Sequence, residues 1–186
     1  MKKWITAWLV LLLMIVASQI GFATEAEDDF RAAFEVNAIT DDLRLAFVLT
    51  AQQQVAHSNG NELDFSRAEH LSKIQGQVKG LKVVFIGNPT CKPCQYLFEA
   101  LTSSSEQDCL LDQWESKQIG FYMINTHQEY QPIQNDENLF YLWKIKSIPV
   151  LLLVKDGIPV ARLNGYHESK SKEILAILNS EVKRWR

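Results

Sequence analysis

The stretch IPVLLLVKDGIPVARLNGY, residues 148–166, leaves its backbone little freedom. Asp156-Gly157 stands between two apolar runs, and Asp-Gly in that position is among the strongest signals for a β-hairpin. The pattern predicts strands over 149–154 and 158–163 with the turn at Asp156-Gly157. Pro159 offers a ladder no amide hydrogen, which assigns the second strand to a sheet edge. Upstream, LKVVFIG (81–87) is a short β-branched and aromatic run ending in Gly87-Asn88-Pro89, the pattern of a buried strand and its exit. A helix from about Cys91 to Leu101 follows, with its continuation through residues 102–114 left open. IGFYMINT (119–126) reads as a second buried strand and 137–144 as a short helix on which Phe140 and Trp143 pack toward the sheet. Residues 169–183 close the chain as an amphipathic helix, with Ile174, Leu175, Leu178 and Val182 on one face. Strand–helix–strand implies a parallel pair, and the hairpin adds an antiparallel edge. The expected fold is α/β, a mixed four-stranded sheet flanked by helices on both faces.

The chain of 186 residues suits one domain with an appendage, and 47% hydrophobic with 22% charged residues supports a sizeable core. With a formal charge of −3 and no long lysine or arginine block, nucleic acid is excluded as a partner. The appendage is helical, over 24–78. Phe30, Ala33 and Phe34 repeat at helical spacing, and Thr40 with Asp41 and Asp42 starts a second helix that is apolar on much of its circumference to Val55. HSNGN (57–61) stops it, and Ser66 with Glu69 has capping-box spacing ahead of Leu71, Ile74 and Val78, with Gly76 and Gly80 bracketing the end. The helix at 43–55 either covers the sheet or offers residues 27–78 to a homodimer or partner.

Lys2 and Lys3, the apolar run Trp8–Ala17 and a small-residue exit describe a secretory signal peptide over 1–23, with Ala26 as the alternative cleavage point. An uncleaved anchor is the rival reading, but the apolar core falls short of the ~20 residues a spanning helix needs. Removal takes the formal charge from −3 to −5. Export, by a short bacterial-type signal, places Cys91, Cys94 and Cys109 in a periplasm, where disulfides persist.

Cys91 and Cys94 stand three apart, where a buried strand exits into a helix. Exposed amides and the positive helix end stabilise a thiolate at Cys91, with Lys92 adding a positive charge. Cys94, one turn further, lies behind and suits the resolving role in dithiol exchange. Two other readings stand beside this one. A metal site needs two more ligands, and Cys109, His57, His70, His127 and His167 supply no second pair at zinc spacing. A structural staple across so short a loop removes little chain entropy. Cys109 reads as a small, half-buried apolar residue, about 27 Å along the helix if that helix runs unbroken at ~1.5 Å per residue. His127 reads as a solvated loop residue.

Strand, TCKPC, helix and the later SIPVLLLVKDG together resemble the thioredoxin superfamily, over about residues 79–184. The resemblance implies a thioredoxin-like domain over 79–186, and a thiol–disulfide oxidoreductase with Cys91 and Cys94 as catalytic residues and Lys92 and Pro93 in support. It further implies a cis bond at Ile148-Pro149, a proline loop packed beside the cysteines, and a substrate chain paired with the backbone of Ile148. Gly165 matches the glycine after the last strand. No cofactor or metal is called for; the partners are protein thiols or disulfides and a redox partner protein. Three positions depart from the family pattern. Thr90 replaces the tryptophan before the first cysteine and suits a helix cap. Phe85 stands where the buried carboxylate belongs, and its companion lysine is missing around Met123. The competing function is a thioredoxin-fold binding or assembly module of an envelope complex, with a non-catalytic cysteine pair.

Overall fold

The computed structural model describes residues 26–60, 69, 72–73, 75–103, 109–126 and 138–186. The signal segment, the Ser66–Glu69 capping box as a unit, Leu71, Ile74, His70 and His127 lie outside the described residues. Helix α1 spans 26–36. It is followed by α2 (Asp41–Ser58), β1 (Leu81–Gly87), α3 (Lys92–Thr102), α4 (Leu110–Ser116), β2 (Gly120–Asn125) and α5 (Leu139–Leu142). The hairpin strands β3 (Val150–Lys155) and β4 (Ile158–Asn164), a 3-10 turn at Glu168–Lys170 and α6 (Ser171–Trp185) complete the chain.

The four strands form one sheet in the order β2-β1-β3-β4. β1 runs parallel to β2 and antiparallel to β3, and β4 lies at the edge, as Pro159 requires. The β3–β4 register slips between Leu153, opposite Ala161, and Val154, opposite Pro159. The extra residue is Val160, a bulge beside the proline that has no amide hydrogen to give. Asp156 and Gly157 at the turn have φ of 51° and 84°, the doubly positive pair that a tight hairpin of right-handed twist prefers. Asp156 also ties this turn to the start of β1: Gly80 N–H donates to its Oδ1 at 2.7 Å, and its own N–H donates to Gly80 O at 3.1 Å.

Alternation along the central strands divides the interior in two. Val83 and Phe85 of β1 and Leu151 and Leu153 of β3 face one cluster, which also takes Cys94, Leu97 and Leu101 of α3 and Leu178 and Val182 of α6. Val84, Ile86, Leu152 and Val154 face the other, which is covered by Leu43, Ala46, Phe47, Val48 and Ala51 of α2 and by Leu139 and Trp143. Both faces being covered, β1 reads as a continuous apolar run rather than an alternating one. The 43–55 helix thus covers one face of the sheet. α1 contributes Phe30 and Phe34 to the first cluster, so the two N-terminal helices lie on opposite faces of the sheet. Residues 37–39 cross the outer edge of β2, where Met123 N–H donates to Asn37 O at 2.7 Å and Ile39 N–H to Met123 O at 3.3 Å.

One local expectation is corrected, and one point left open is settled. Residues 75–78 are turns, so the third helix stops short of Val78; Gly76, a poor helix former, falls within that turn. The helix begun after Cys91 does not run unbroken to Cys109. It ends at Thr102, and α4 is a new helix whose N-cap is Cys109, with Sγ accepting from Asp112 N–H at 3.4 Å.

Candidate active site

β1 ends at Gly87 and the chain turns through Asn88. The Asn88 Oδ1 accepts from Thr90 N–H at 2.8 Å and from Thr90 Oγ1 at 2.9 Å, and Cys91 N–H donates to Asn88 O at 3.0 Å. The Thr90 hydroxyl, expected to cap the helix, donates within this Asx-type turn, and the helix that follows has no side-chain cap bond. The N-cap of α3 is Cys91 itself, one residue later, with extended backbone at φ −82° and ψ 104°. Its carbonyl accepts from Cys94 N–H at 2.9 Å and Gln95 N–H at 3.1 Å. Pro93 occupies the first turn and is exposed, so that turn has one amide hydrogen fewer than usual.

Cys91 and Cys94 form a disulfide, with their Cα atoms 5.2 Å apart, inside the range such bonds require. Cys94 is fully buried, whereas Cys91 is half-exposed. Cys91 is therefore the more accessible of the two, and Cys94 is screened from solvent. Among the described residues, no group of three His, Cys, Asp or Glu side chains could hold a metal ion.

The wall behind Cys94 is aromatic. Phe85 lies opposite Met123 across β1 and β2, so the two positions where the family pattern would place an acid and a lysine are neighbouring apolar residues. The Phe85 ring packs edge-on against Phe30 at 6.2 Å and Phe34 at 6.1 Å between centroids, and Phe30 meets Phe98 of α3 at 5.2 Å. A side chain at Gly87 would have no room: its Cβ would stand 2.6 Å from Phe85 Cε1 and 3.3 Å from Cys94 Sγ. Glycine is what lets the strand end pass so close to both the ring and the sulfur.

The Ile148-Pro149 peptide is cis. Pro149 O accepts from the N–H of Gly165, whose φ is +70°, at 2.8 Å. Ile148 and Cys91 both pack on the margin of the cluster that holds Cys94, which brings the proline loop and the cysteine pair to one region. The loop leading to Ile148 is held from the edge strand. Arg162 of β4 donates from Nη1 to Lys144 O at 3.2 Å and from Nη2 to Trp143 O. Lys92 and Pro93, both exposed, stand between the two cysteines. Lys92 Nζ donates to Gln95 Oε1 at 2.9 Å, and Gln95 Nε2 donates to Pro89 O at 2.9 Å. Sequence reasoning passed over Gln95, whose signal was a polar residue on the otherwise apolar buried side of α3.

Cys109 is buried at the start of α4, and burial, the largest influence, pushes its thiol pKa up. A raised pKa keeps it protonated, and only the thiolate reacts. In the dithiothreitol-reduced protein at pH 7.5 (a working value within about one unit of an ordinary thiol pKa), iodoacetamide is expected to label Cys91 well before Cys109. The Cys109 rate rises only as pH is taken above the usual thiol range. Peptide mass spectrometry against time checks this, and equal labelling of the two would contradict it.

The sheet order, the cysteine at the head of α3 and the cis proline just before β3 together define the thioredoxin class of fold. The chain belongs to the thioredoxin-like domain family, whose sequence model matches residues 67–180. Among solved structures, Fasciola hepatica thioredoxin is 22% identical over 59% of this chain and 91% of its own, with a TM-score of 0.37. A thioredoxin from Malassezia sympodialis is 18% identical over 56% of this chain and 82% of its own, at 0.39. The oxidised mitochondrial thioredoxin 3 of Saccharomyces cerevisiae is 14% identical over 55% and 85%, at 0.38. No curated protein sequence matches the chain at a significant level.

Proposed function

We propose that the protein is an exported thiol–disulfide oxidoreductase that exchanges disulfides with protein substrates through Cys91 and Cys94. The observation that carries this reading is the pairing of a half-exposed Cys91 with a fully buried Cys94 at a helix N-terminus. In the reductive direction the Cys91 thiolate attacks a substrate disulfide, forming a mixed disulfide and releasing one substrate thiolate, which takes up a proton. Cys94 then loses its proton and attacks the Cys91 sulfur. The second substrate thiol leaves, and the Cys91–Cys94 disulfide holds the pair of electrons' worth of oxidation taken from the substrate. The oxidative direction is the same sequence reversed. Ile148 and Pro149 receive the substrate backbone. The chemistry uses no cofactor; a redox partner protein in the periplasm restores the starting state.

Reduction of insulin by the protein lacking residues 1–23, coupled to dithiothreitol, tests the proposal. The wild type is expected to accelerate precipitation of the insulin B chain, and Cys91→Ser to bring the rate down to that of dithiothreitol alone. No acceleration by the wild type in this assay or in reactivation of scrambled ribonuclease, with Cys91→Ser leaving partner binding intact, identifies a binding or assembly module instead.

A further inference from the structure

Buried amide side chains are ordinarily hydrogen-bonded, because each unpaired polar atom away from water is costly. Gln95 is 5% exposed, one turn along α3 from Cys91, and uses both ends of its amide. The other buried residues of α3 are Cys94, Leu97 and Leu101. Helix packing alone would be served by another apolar side chain at this position.

We propose that Gln95 is a positioning residue of the dithiol site: it clamps the loop that presents Cys91 and fixes the Lys92 ammonium on the first turn of α3. The inference rests on the redox reading above and deepens it. The bond from Gln95 Nε2 to Pro89 O ties the body of the helix to the residue two before Cys91. The remaining bonds of that loop, Thr90 N–H and Oγ1 to Asn88 Oδ1 and Cys91 N–H to Asn88 O, are local. Together they set where the Cys91 sulfur sits relative to the amides of the first turn. That placement carries weight because Pro93 has removed one of those amide hydrogens.

The second bond concerns charge. An exposed lysine spreads its charge over many rotamers, and solvent screens it. Bonded to a buried amide, the Lys92 ammonium keeps one place beside the turn that carries the sulfur. Among the hydrophobic residues that share this cluster with Cys91, Tyr166 is the titratable one besides the cysteines. Whatever stabilises the Cys91 thiolate stabilises the reduced protein, and so makes the dithiol–disulfide couple more oxidising.

Two readouts that need no protein substrate test this: the pH dependence of thiolate absorbance in a Cys109→Ala background, and the equilibrium with reduced and oxidised glutathione at about pH 7. Gln95→Leu is expected to raise the pH at which Cys91 ionises and to move the glutathione equilibrium toward the protein disulfide by about tenfold, one pKa unit's worth. Lys92→Met should move it the same way by about threefold, the size of an exposed electrostatic contact. Added to Gln95→Leu, it should do nothing further, because the ammonium acts through the amide that holds it. If Gln95→Leu lowers the urea midpoint but leaves both readouts at wild-type values, the residue is structural only and the proposal falls. It also falls if Lys92→Met has the same effect with and without Gln95. Lys92 is exposed, so its variant stays decisive even where Gln95→Leu does not fold; an unchanged equilibrium then overturns the proposal. A wild type that shows these dependences yet never reduces insulin would keep this inference and lose the proposed function.

Discussion

Cells producing Cys94→Ala are expected to accumulate the protein in high-molecular-weight complexes that collapse to the free chain on reduction. Cys91 can still attack, since it is half-exposed and heads α3. What the variant lacks is the second sulfur, which in the wild type stands bonded to the first with Cα atoms 5.2 Å apart. Such proximity makes resolution an intramolecular event with a high effective concentration, whereas release by an outside thiol is bimolecular and slow. Mixed disulfides that pass in a moment in the wild type should therefore survive for minutes to hours in the variant, the range of uncatalysed disulfide rearrangement. Non-reducing gels after acid quench, followed by mass spectrometry of the captured chains, check the result and identify the substrates. Cys91→Ser with Cys94→Ala must abolish the complexes. Complexes that persist in the double variant would come from Cys109 and count against the assignment of Cys91; a blank with the single variant would favour the binding-module reading.

The second large effect is on stability, and it concerns the N-terminal helices. Phe30 on α1 is 1% exposed and meets Phe34, Phe85 and Phe98, while Phe47 on α2 is fully buried and stacks edge-on with Trp143 at 5.3 Å. Phe30→Ala and Phe47→Ala are each expected to cost about 3–5 kcal/mol, the range for removing a buried phenylalanine. That is a large part of the ~5–15 kcal/mol by which domains are stable. The measurement is the urea midpoint with the slope held constant. Both residues lie before residue 67, where the family match begins. Losses under about 1 kcal/mol would mean that α1 and α2 are an appendage that the thioredoxin-like core does without. Losses of the expected size would make them the covers of its two faces.

Much of this fold was legible because its signals are local. β1 was bounded at residues 81–87 by its apolar run and closing glycine. The hairpin followed from Asp156-Gly157, whose two positive φ values are a property of the turn itself. The cysteine pair, the helix after it and the cis-proline motif could be recognised from short stretches in the right order. Less was legible where a helix start depends on the turn before it. Thr90 has the chemistry of a cap, but the Asn88 turn puts the N-cap position one residue later, at Cys91, which makes no side-chain cap bond. The expected departure at Phe85 was visible as a missing acid. The rings that fill the space, Phe30 and Phe34, are more than fifty positions upstream, and nothing in the local pattern joins them to it.

The sequence by itself determined the strand order along the chain, the turn, the edge strand and the position of the two cysteines at a helix start. Each depends on backbone preferences and on the periodicity of a few adjacent residues. Only the tertiary structure decided that Gly87 must lack a side chain beside Cys94 Sγ, and that Gln95 joins Lys92 to the loop before Cys91. Those are relations between atoms brought together by packing, and burial and hydrogen-bond pairing exist only once the elements have met.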